Sequence, residues 1–348
     1  MNKTMKALVL TDIGKLELLE KPVPAPVGDE VLVRVKACGI CGTDLHIFHG
    51  DEGSAKSPLP IVLGHEFSGE VAAAGPLVKN VRIGDHIAVD PNCACGQCYY
   101  CRLGKPHYCS DMLCYGTVLD GAFAEYCLVK EKVCYLLPDN LDYFSGAMVE
   151  PVACCLHGID LCGIAPGHSV LIIGCGPIGQ IMVQLAKTAG AARIAVFEPV
   201  AAKREAALRG GAAVALDPAR HDDAAAAAVA LRELGFTDIN AVIECVGNTR
   251  TMRRAIDLAS PAATVMLFGL SSPRDELSIN PFNDLFRKEL KLTASFINPQ
   301  TCSRSIALMS EGRLSVDSII TDKLPVERAI EAFTDDSYRT KGKIQIIF

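Results

Sequence analysis

The run Gly174-Cys175-Gly176-Pro177-Ile178-Gly179 follows an apolar strand-type stretch at 170–173 and opens a helix-type repeat over 178–189. It restricts the fold more than any other part of the chain. Gly-x-Gly-x-x-Gly in that setting needs a tight turn at its first glycine, approach of a pyrophosphate at its second and close helix packing at its third. The first N–H groups of the helix then face the phosphates. Further strand-type runs at 193–197, 241–245, 264–268 and 290–294, with an alanine-rich helical stretch at 224–234, continue the alternation from about residue 152. Alternation of this kind predicts an α/β unit, a doubly wound parallel sheet with helices on both faces. Glu198 lies 19 residues beyond Gly179 at the end of the next strand run. A carboxylate there accepts hydrogen bonds from both ribose hydroxyls and repels a 2′-phosphate, which favours NAD over NADP. Lys203 and Arg204 pull the other way, since either could reach such a phosphate. The candidate dinucleotide contacts are therefore Gly174, Gly176, Pro177, Ile178, Gly179, Glu198, Lys203 and Arg204, together with Cys245 and Gly247 at the end of the 241–245 run.

The first half has a different texture. Short β-branched runs at 7–10, 31–35, 67–72, 86–89 and 124–129, separated by Gly and Pro, predict an all-β domain with functional loops. One loop carries Cys95, Cys98, Cys101 and Cys109, with gaps of two, two and seven residues. Such gaps let neighbouring thiolates reach one tetrahedral zinc at about 2.3 Å, and four thiolates leave no open coordination position, so this zinc is structural. Upstream stand Cys38-Gly-Ile-Cys41-Gly-Thr43-Asp44-Leu-His46 and Gly64-His65-Glu66; Glu150-Pro151 follows near the change of texture. On spacing alone, Cys38 and Cys41 make an attractive metal pair. For His65 and Glu66 both to bind one ion they must sit at a turn, because a regular strand sends neighbours to opposite faces. The other ten cysteines read as small buried hydrophobes.

Bulk properties narrow the function. A chain of 348 residues with 50% apolar content fills two domains. Net charge is −6, and the four-cysteine loop offers only Arg102, Lys105 and His107, too little for a nucleic-acid footprint. The N-terminus lacks the apolar core of a secretory signal, and no stretch is long and apolar enough to span a bilayer. A cytoplasmic protein without membrane or nucleic-acid partners is expected, its cysteines reduced or bound to metal.

With these motifs in this order over nearly its whole length, the chain resembles the zinc-dependent medium-chain dehydrogenase/reductase family, in its sorbitol/polyol dehydrogenase-like branch. The resemblance implies a GroES-like catalytic domain with both zinc sites over 1–151 and a Rossmann NAD-binding domain over 152–295. A C-terminal segment, 296–348, would return to the first domain. It further implies two zinc ions per subunit, one catalytic and one structural, NAD as cofactor, and a homodimer or homotetramer. Cys41 and His65 match the family's catalytic ligands, which excludes Cys38. The third ligand is open between Glu66 and Glu150, which are expected to exchange during turnover. Thr43 would take the hydroxyl proton of the substrate, His46 would pass it to solvent through the nicotinamide ribose, and Asp44 would fix the tautomer of His65. Asp90-Pro91 and Glu150-Pro151 look like the polyol branch, and Asn92 stands where the threonine branch carries a histidine. Ser295 and Phe296 stand where sorbitol dehydrogenases place an Arg-Tyr pair to hold the polyol, which points to arabinitol or xylitol rather than sorbitol. Sugar phosphates rank lower, since the motif segments hold no Arg or Lys to pair a phosphate. A secondary-alcohol or butanediol dehydrogenase and a threonine dehydrogenase are the alternatives within enzymes. A non-catalytic binding protein on the same fold is the alternative outside them.

Overall fold

The structure, a computed structural model, describes residues 4–51, 56–221 and 223–348. The chain forms two compact units, Met1–Ala153 with Asn298–Phe348, and Cys154–Ile297. In the first, β1 (Thr4–Asp12) and β2 (Lys15–Pro22) make a hairpin that turns at Gly14, where φ is +72°. Then come β3 (Glu30–Gly39), β4 (Ile61–Val62), β5 (Glu66–Ala74), β6 (His86–Val89), β7 (Asn92–Cys93), β8 (Leu113–Cys114), β9 (Tyr126–Lys130) and β10 (Cys134–Leu136). β4 extends the hairpin, and β7 pairs with β8. β3, β5, β6 and β10 build the larger sheet, with β9 also on β3. Val31, Val33 and Val35 of β3 pack with Phe67, Val71, Ile87 and Phe123 in one continuous core. β-branched residues fit this pleated, half-buried surface well.

The second unit carries β11 (Ser169–Ile173), β12 (Arg193–Phe197), β13 (Val214–Leu216), β14 (Ala241–Glu244), β15 (Thr264–Leu267) and β16 (Lys291–Ala294). They lie in the order β13-β12-β11-β14-β15-β16, every neighbouring pair parallel. This is the doubly wound order, whose direction of winding switches between β11 and β14. β14 is buried along its length, and β11 and β12 from their second residue on, which gives the near-continuous apolar runs of a sheet covered on both faces. Helices Pro177–Thr188 and Ala224–Glu233 fall where their periodicity predicts. Helix Thr249–Leu258 is an addition: Met252, Ala255 and Ile256 form its buried stripe, and the Asn248 side chain caps it by accepting from the Thr251 N–H at 2.9 Å.

The chain then returns to the first unit. β17 (Ile320–Pro325) pairs parallel with β18 (Lys343–Ile347), and β18 lies antiparallel to β3 with Gln345 opposite Gly39 and Ile346 opposite Cys38. The end of the chain thus flanks the strand that leads into Cys41. Among the described residues, no helix is long and apolar enough to cross a membrane.

Candidate active site

β3 ends at Gly39, and Cys41 is the N-cap of helix Gly42–Phe48. Asp44, three residues on and fully buried, fixes this corner: its Oδ2 accepts the Cys41 N–H at 2.8 Å. Its Oδ1 faces His65 Nδ1 at 3.3 Å, and neither atom has another partner among the described residues. An imidazole held through Nδ1 presents Nε2 to a ligand. His65 is aimed by Gly64, whose φ of +94° turns the chain just before β5. A Cβ at Gly64 would lie 2.4 Å from Phe123 Cδ1 and 2.9 Å from Cys38 Sγ, so both the dihedral and the space call for glycine. The turn leaves His65 outside the strand and Glu66 as its first residue, which meets the requirement for adjacent ligands.

Cys41, His65 and Glu66 each offer a ligand atom, all within 4.8 Å of one another. A thiol, an imidazole and a carboxylate are a zinc donor set. Burial disfavours charge on His65, yet Asp44 and then Cys41 outweigh it and the imidazole pKa lies well above its ordinary value. Such an environment calls for a cation, and these residues fit zinc. Glu150, in the first turn of helix Val149–Cys162, is buried but outside this three-residue cluster; its charge acts on Lys343. Cys38 lies in the apolar core, its thiol pushed up by burial, and is likewise outside the cluster. The pairing with Cys41 that spacing alone allows does not form. Thr43 and His46 sit three residues apart on the short helix, both half-buried, and His46 Nδ1 lies 3.7 Å from Asp51 Oδ2.

Sequence reasoning missed Lys343. Its ammonium donates to Glu66 Oε1 at 2.8 Å, to Glu66 Oε2 at 2.6 Å and to the Ile40 carbonyl at 3.1 Å. It stands 303 residues from Ile40 in the chain, and its one signal is being the single charged residue of the strand run Lys343–Ile347. A second network was also invisible. Asp90 Oδ1 accepts from the Asn92 N–H at 3.0 Å and from Asn298 Nδ2 at 3.2 Å, and Asn92 Nδ2 donates to Asn298 Oδ1 at 2.7 Å. Burial pushes the Asp90 carboxyl up to about 6.

Cys95, Cys98, Cys101 and Cys109 converge to the same 4.8 Å limit. The Cys95 N–H donates to Cys109 Sγ at 3.2 Å, and the Cys98 N–H to Cys95 Sγ at 3.3 Å. The backbone N–H of Cys101, and then that of Ser110, pull the Cys98 thiol down to about 6. Backbone donors that favour thiolate, with four sulfurs converging, fit a closed zinc site.

In the second unit the three glycines of the β11 turn divide the work. Gly174 has φ of +88°; nothing lies within 4 Å of a Cβ on Gly176; and a Cβ on Gly179 would meet the Gly174 carbonyl oxygen at 2.1 Å. The open space at Gly176, beside the helix that Pro177 and Ile178 begin, is where a pyrophosphate fits. Glu198 caps this turn: its Oε2 accepts the Cys175 N–H at 2.7 Å and its Oε1 the Val200 N–H at 2.9 Å. Arg204 donates through Nη1 to the Glu198 and Pro199 carbonyls, both at 2.7 Å, while Lys203 stands half-buried near Cys175. The Cys245 N–H is used by the Ile173 carbonyl at 2.9 Å and the Gly247 N–H by Glu244 Oε1 at 3.0 Å, so both residues hold the β14 loop through backbone bonds. Ser295 and Phe296 follow β16; Ser295 Oγ is a buried hydroxyl without a partner among the described residues, and Phe296 is 39% exposed.

A Cys/His/Glu cluster, a four-cysteine cluster and a doubly wound unit with an open glycine turn define a zinc-binding dehydrogenase. Residues 28–139 match the alcohol dehydrogenase GroES-like domain, and residues 177–311 match the zinc-binding dehydrogenase domain. D-arabinitol dehydrogenase 1 of Uromyces fabae is 30% identical over 98% of this chain and 97% of its own. An L-threonine 3-dehydrogenase of Pyrococcus horikoshii is 34% identical over 93% and 92%. A crystallised Sinorhizobium meliloti protein, described as a zinc-binding dehydrogenase bound to NADP, superposes with a TM-score of 0.92 at 36% identity over 100% of both chains. The chain belongs to the zinc-dependent medium-chain alcohol dehydrogenase superfamily, and it is an oxidoreductase acting on CH–OH donors.

Proposed function

We propose that this enzyme oxidises a polyol of the arabinitol or xylitol kind to the ketose, with NAD as acceptor. The observation that carries the polyol reading is the neutral amide of Asn92, tied to Asn298, in the first unit. An amino-acid substrate brings an ammonium and a carboxylate that need charged partners, whereas a polyol brings hydroxyls that neutral hydrogen-bonding groups satisfy. The Ser295 hydroxyl, without a partner among the described residues, suits a substrate hydroxyl. The D-arabinitol dehydrogenase relative supports this reading. The 34% identity to an L-threonine 3-dehydrogenase favours a second, amino-alcohol reading.

Cys41, His65 and Glu66 would hold the catalytic zinc, with Glu150 exchanging for Glu66, and the four loop cysteines would hold the structural one. When bound, zinc would supply a Lewis acid to the donor hydroxyl and NAD an acceptor for hydride. Thr43 Oγ1 accepts the hydroxyl proton as it gives up its own, which His46 passes on to solvent. Asp44 keeps the Nδ1 proton on His65, so that Nε2 stays available as a ligand. Gly174, Gly176 and Gly179 seat the pyrophosphate. Glu198, whose oxygens each accept one backbone N–H and each keep a second lone pair, orients the turn and disfavours a 2′-phosphate, while Lys203 is the residue placed to attract one.

The test is kcat/KM for NADH formation across arabinitol, xylitol, sorbitol, galactitol, 2,3-butanediol, simple alcohols and threonine. Preference for a five-carbon polyol is the expected result. Preference for threonine or for butanediol overturns the polyol assignment.

A further inference from the structure

The turn that ends helix Gly42–Phe48 brings a carboxylate to the outer side of His46. Gly50 has φ of +86°, and a Cβ there would lie 3.0 Å from Ile13 Cδ1, so this left-handed position belongs to glycine. Around it the Gly50 N–H donates to the Ile47 carbonyl at 3.0 Å and the Asp51 N–H to the His46 carbonyl at 2.9 Å. These two bonds close a Schellman motif, in which the side chains at the places of His46 and Asp51 commonly meet through an apolar contact. Here an imidazole meets a carboxylate instead: His46 Nδ1 lies 3.7 Å from Asp51 Oδ2, with the two side chains 32% and 31% exposed.

The carboxylate faces Nδ1 and favours a proton there, which leaves Nε2 as the nitrogen that takes another. Thr43 stands three residues before His46, on the same face of the helix. A proton arriving at Nε2 makes the ring a cation, and two charges answer it: Asp51, and the partial negative charge of the helix C-terminus, in whose last turn His46 lies. Loss of the Nδ1 proton on the exposed side returns the ring to neutral. At 3.7 Å the contact is too long for a hydrogen bond and attracts as an ion pair only while the ring is charged. Asp44, the carboxylate of the helix itself, is already committed to the Cys41 N–H and to His65.

We infer that Asp51 is a positioning residue of the proton path: it orients His46 so that Nε2 takes the proton, and it holds the imidazolium until the Nδ1 proton passes to solvent. The inference rests on the reading of Thr43 and His46 as a proton relay. Asp51 lies outside the Cys41 cluster and acts through His46. The backbone bonds of the turn do not need its side chain, so its charge can be removed while the turn stays.

The experiment measures the first turnover of NADH formation by the zinc-loaded full-length enzyme, mixed with NAD and arabinitol, or with the best alcohol of the panel above if that differs. His46→Gln comes first and is expected to be slower by about a hundredfold. An unchanged rate in His46→Gln overturns the relay, and this inference with it. Asp51→Leu supplies the apolar contact common in such turns and should keep the thermal midpoint, zinc content and KM of wild type. Its first turnover is expected to slow by about two- to fivefold, the range an ion pair of this exposure supports. Raising phosphate buffer at constant pH and ionic strength should return that rate, because a base in solution replaces the hindered step; structural damage would not respond. Asp51→Glu, which keeps the charge, should recover part of the loss. In the His46→Gln background, Asp51→Leu should cost nothing further. A wild-type rate in Asp51→Leu beside a slow His46→Gln overturns the inference and leaves the relay standing, and an equal further loss in the double variant also overturns it. Should Asp51→Leu not fold, the near-isosteric Asp51→Asn takes its place with the same expected and contrary results.

Discussion

Gly64→Ala gives the sharpest test of how the backbone aims His65. Alanine at φ +94° leaves the conformations open to L-residues, at about 1–2 kcal/mol. Its methyl would also lie 2.4 Å from Phe123 Cδ1 and 2.9 Å from Cys38 Sγ, both in the apolar core, and overpacking of that kind costs about 1–3 kcal/mol. The sum is about 2–5 kcal/mol, a fall of roughly 4–20 °C in midpoint for a unit of this size. Relief by backbone shift moves His65 first, because it is the next residue. The assay pairs thermal unfolding with zinc content, using Gly14→Ala as control. Gly14 also has a positive φ, +72°, but nothing lies within 4 Å of its Cβ, so it should lose only the conformational part and keep both metals. A Gly64→Ala protein that melts with the control and keeps both metals would refute the reasoning.

Other consequences are more local. Asp44→Asn removes the charge facing His65 Nδ1 and should weaken the Cys41 metal by about ten- to a hundredfold in a chelator competition, while the four-cysteine metal is unchanged. Cys98→Ser should lose only the four-cysteine metal and lower the thermal midpoint, measured by metal analysis alongside calorimetry. Burial raises Asp90 from 3.8 to about 6, so its carboxyl holds a proton more tightly folded than unfolded; its contribution to stability is present below pH 3.8 and is lost as pH rises to about 6. Asp90→Asn escapes that loss, and its unfolding free energy relative to wild type should rise by about 2 kcal/mol between pH 4 and pH 7. Glu198→Ala should raise the NADP-to-NAD ratio of kcat/KM and, by freeing the Cys175 and Val200 N–H groups, raise KM for both cofactors.

What could be read from the sequence is what depends on neighbours in the chain. β11 and β12 show as apolar runs because parallel strands are buried on both faces, and the glycine turn shows because a positive φ, an open space and a close backbone approach fall within six residues. The candidate metal cluster shows for the same reason: Cys41 and its neighbour Asp44 share a helix start, and His65 and Glu66 share a turn. β2 did not show, since among its eight residues only Leu16 is buried and no alternation marks a face. Helix Thr249–Leu258 was obscured by three arginines around its apolar stripe. Lys343 and Asn298 reach the first unit only because the chain returns to it, and no local pattern encodes a partner some 200 to 300 residues away. Glu198 stands out in the sequence as a carboxylate at a strand end, but its hold on the Cys175 N–H depends on where β12 ends beside β11.

The central claim is that Cys41, His65 and Glu66 bind the zinc that makes this chain an alcohol-oxidising enzyme. Its most direct test is NADH formation from a polyol by wild type and by Cys41→Ser, each matched to zinc content, before and after chelation and zinc return. The account predicts one zinc fewer in Cys41→Ser, turnover lost with it, and wild-type turnover that falls with chelation and returns with zinc. Full turnover in Cys41→Ser, or in chelated wild type shown to lack that zinc, would contradict it.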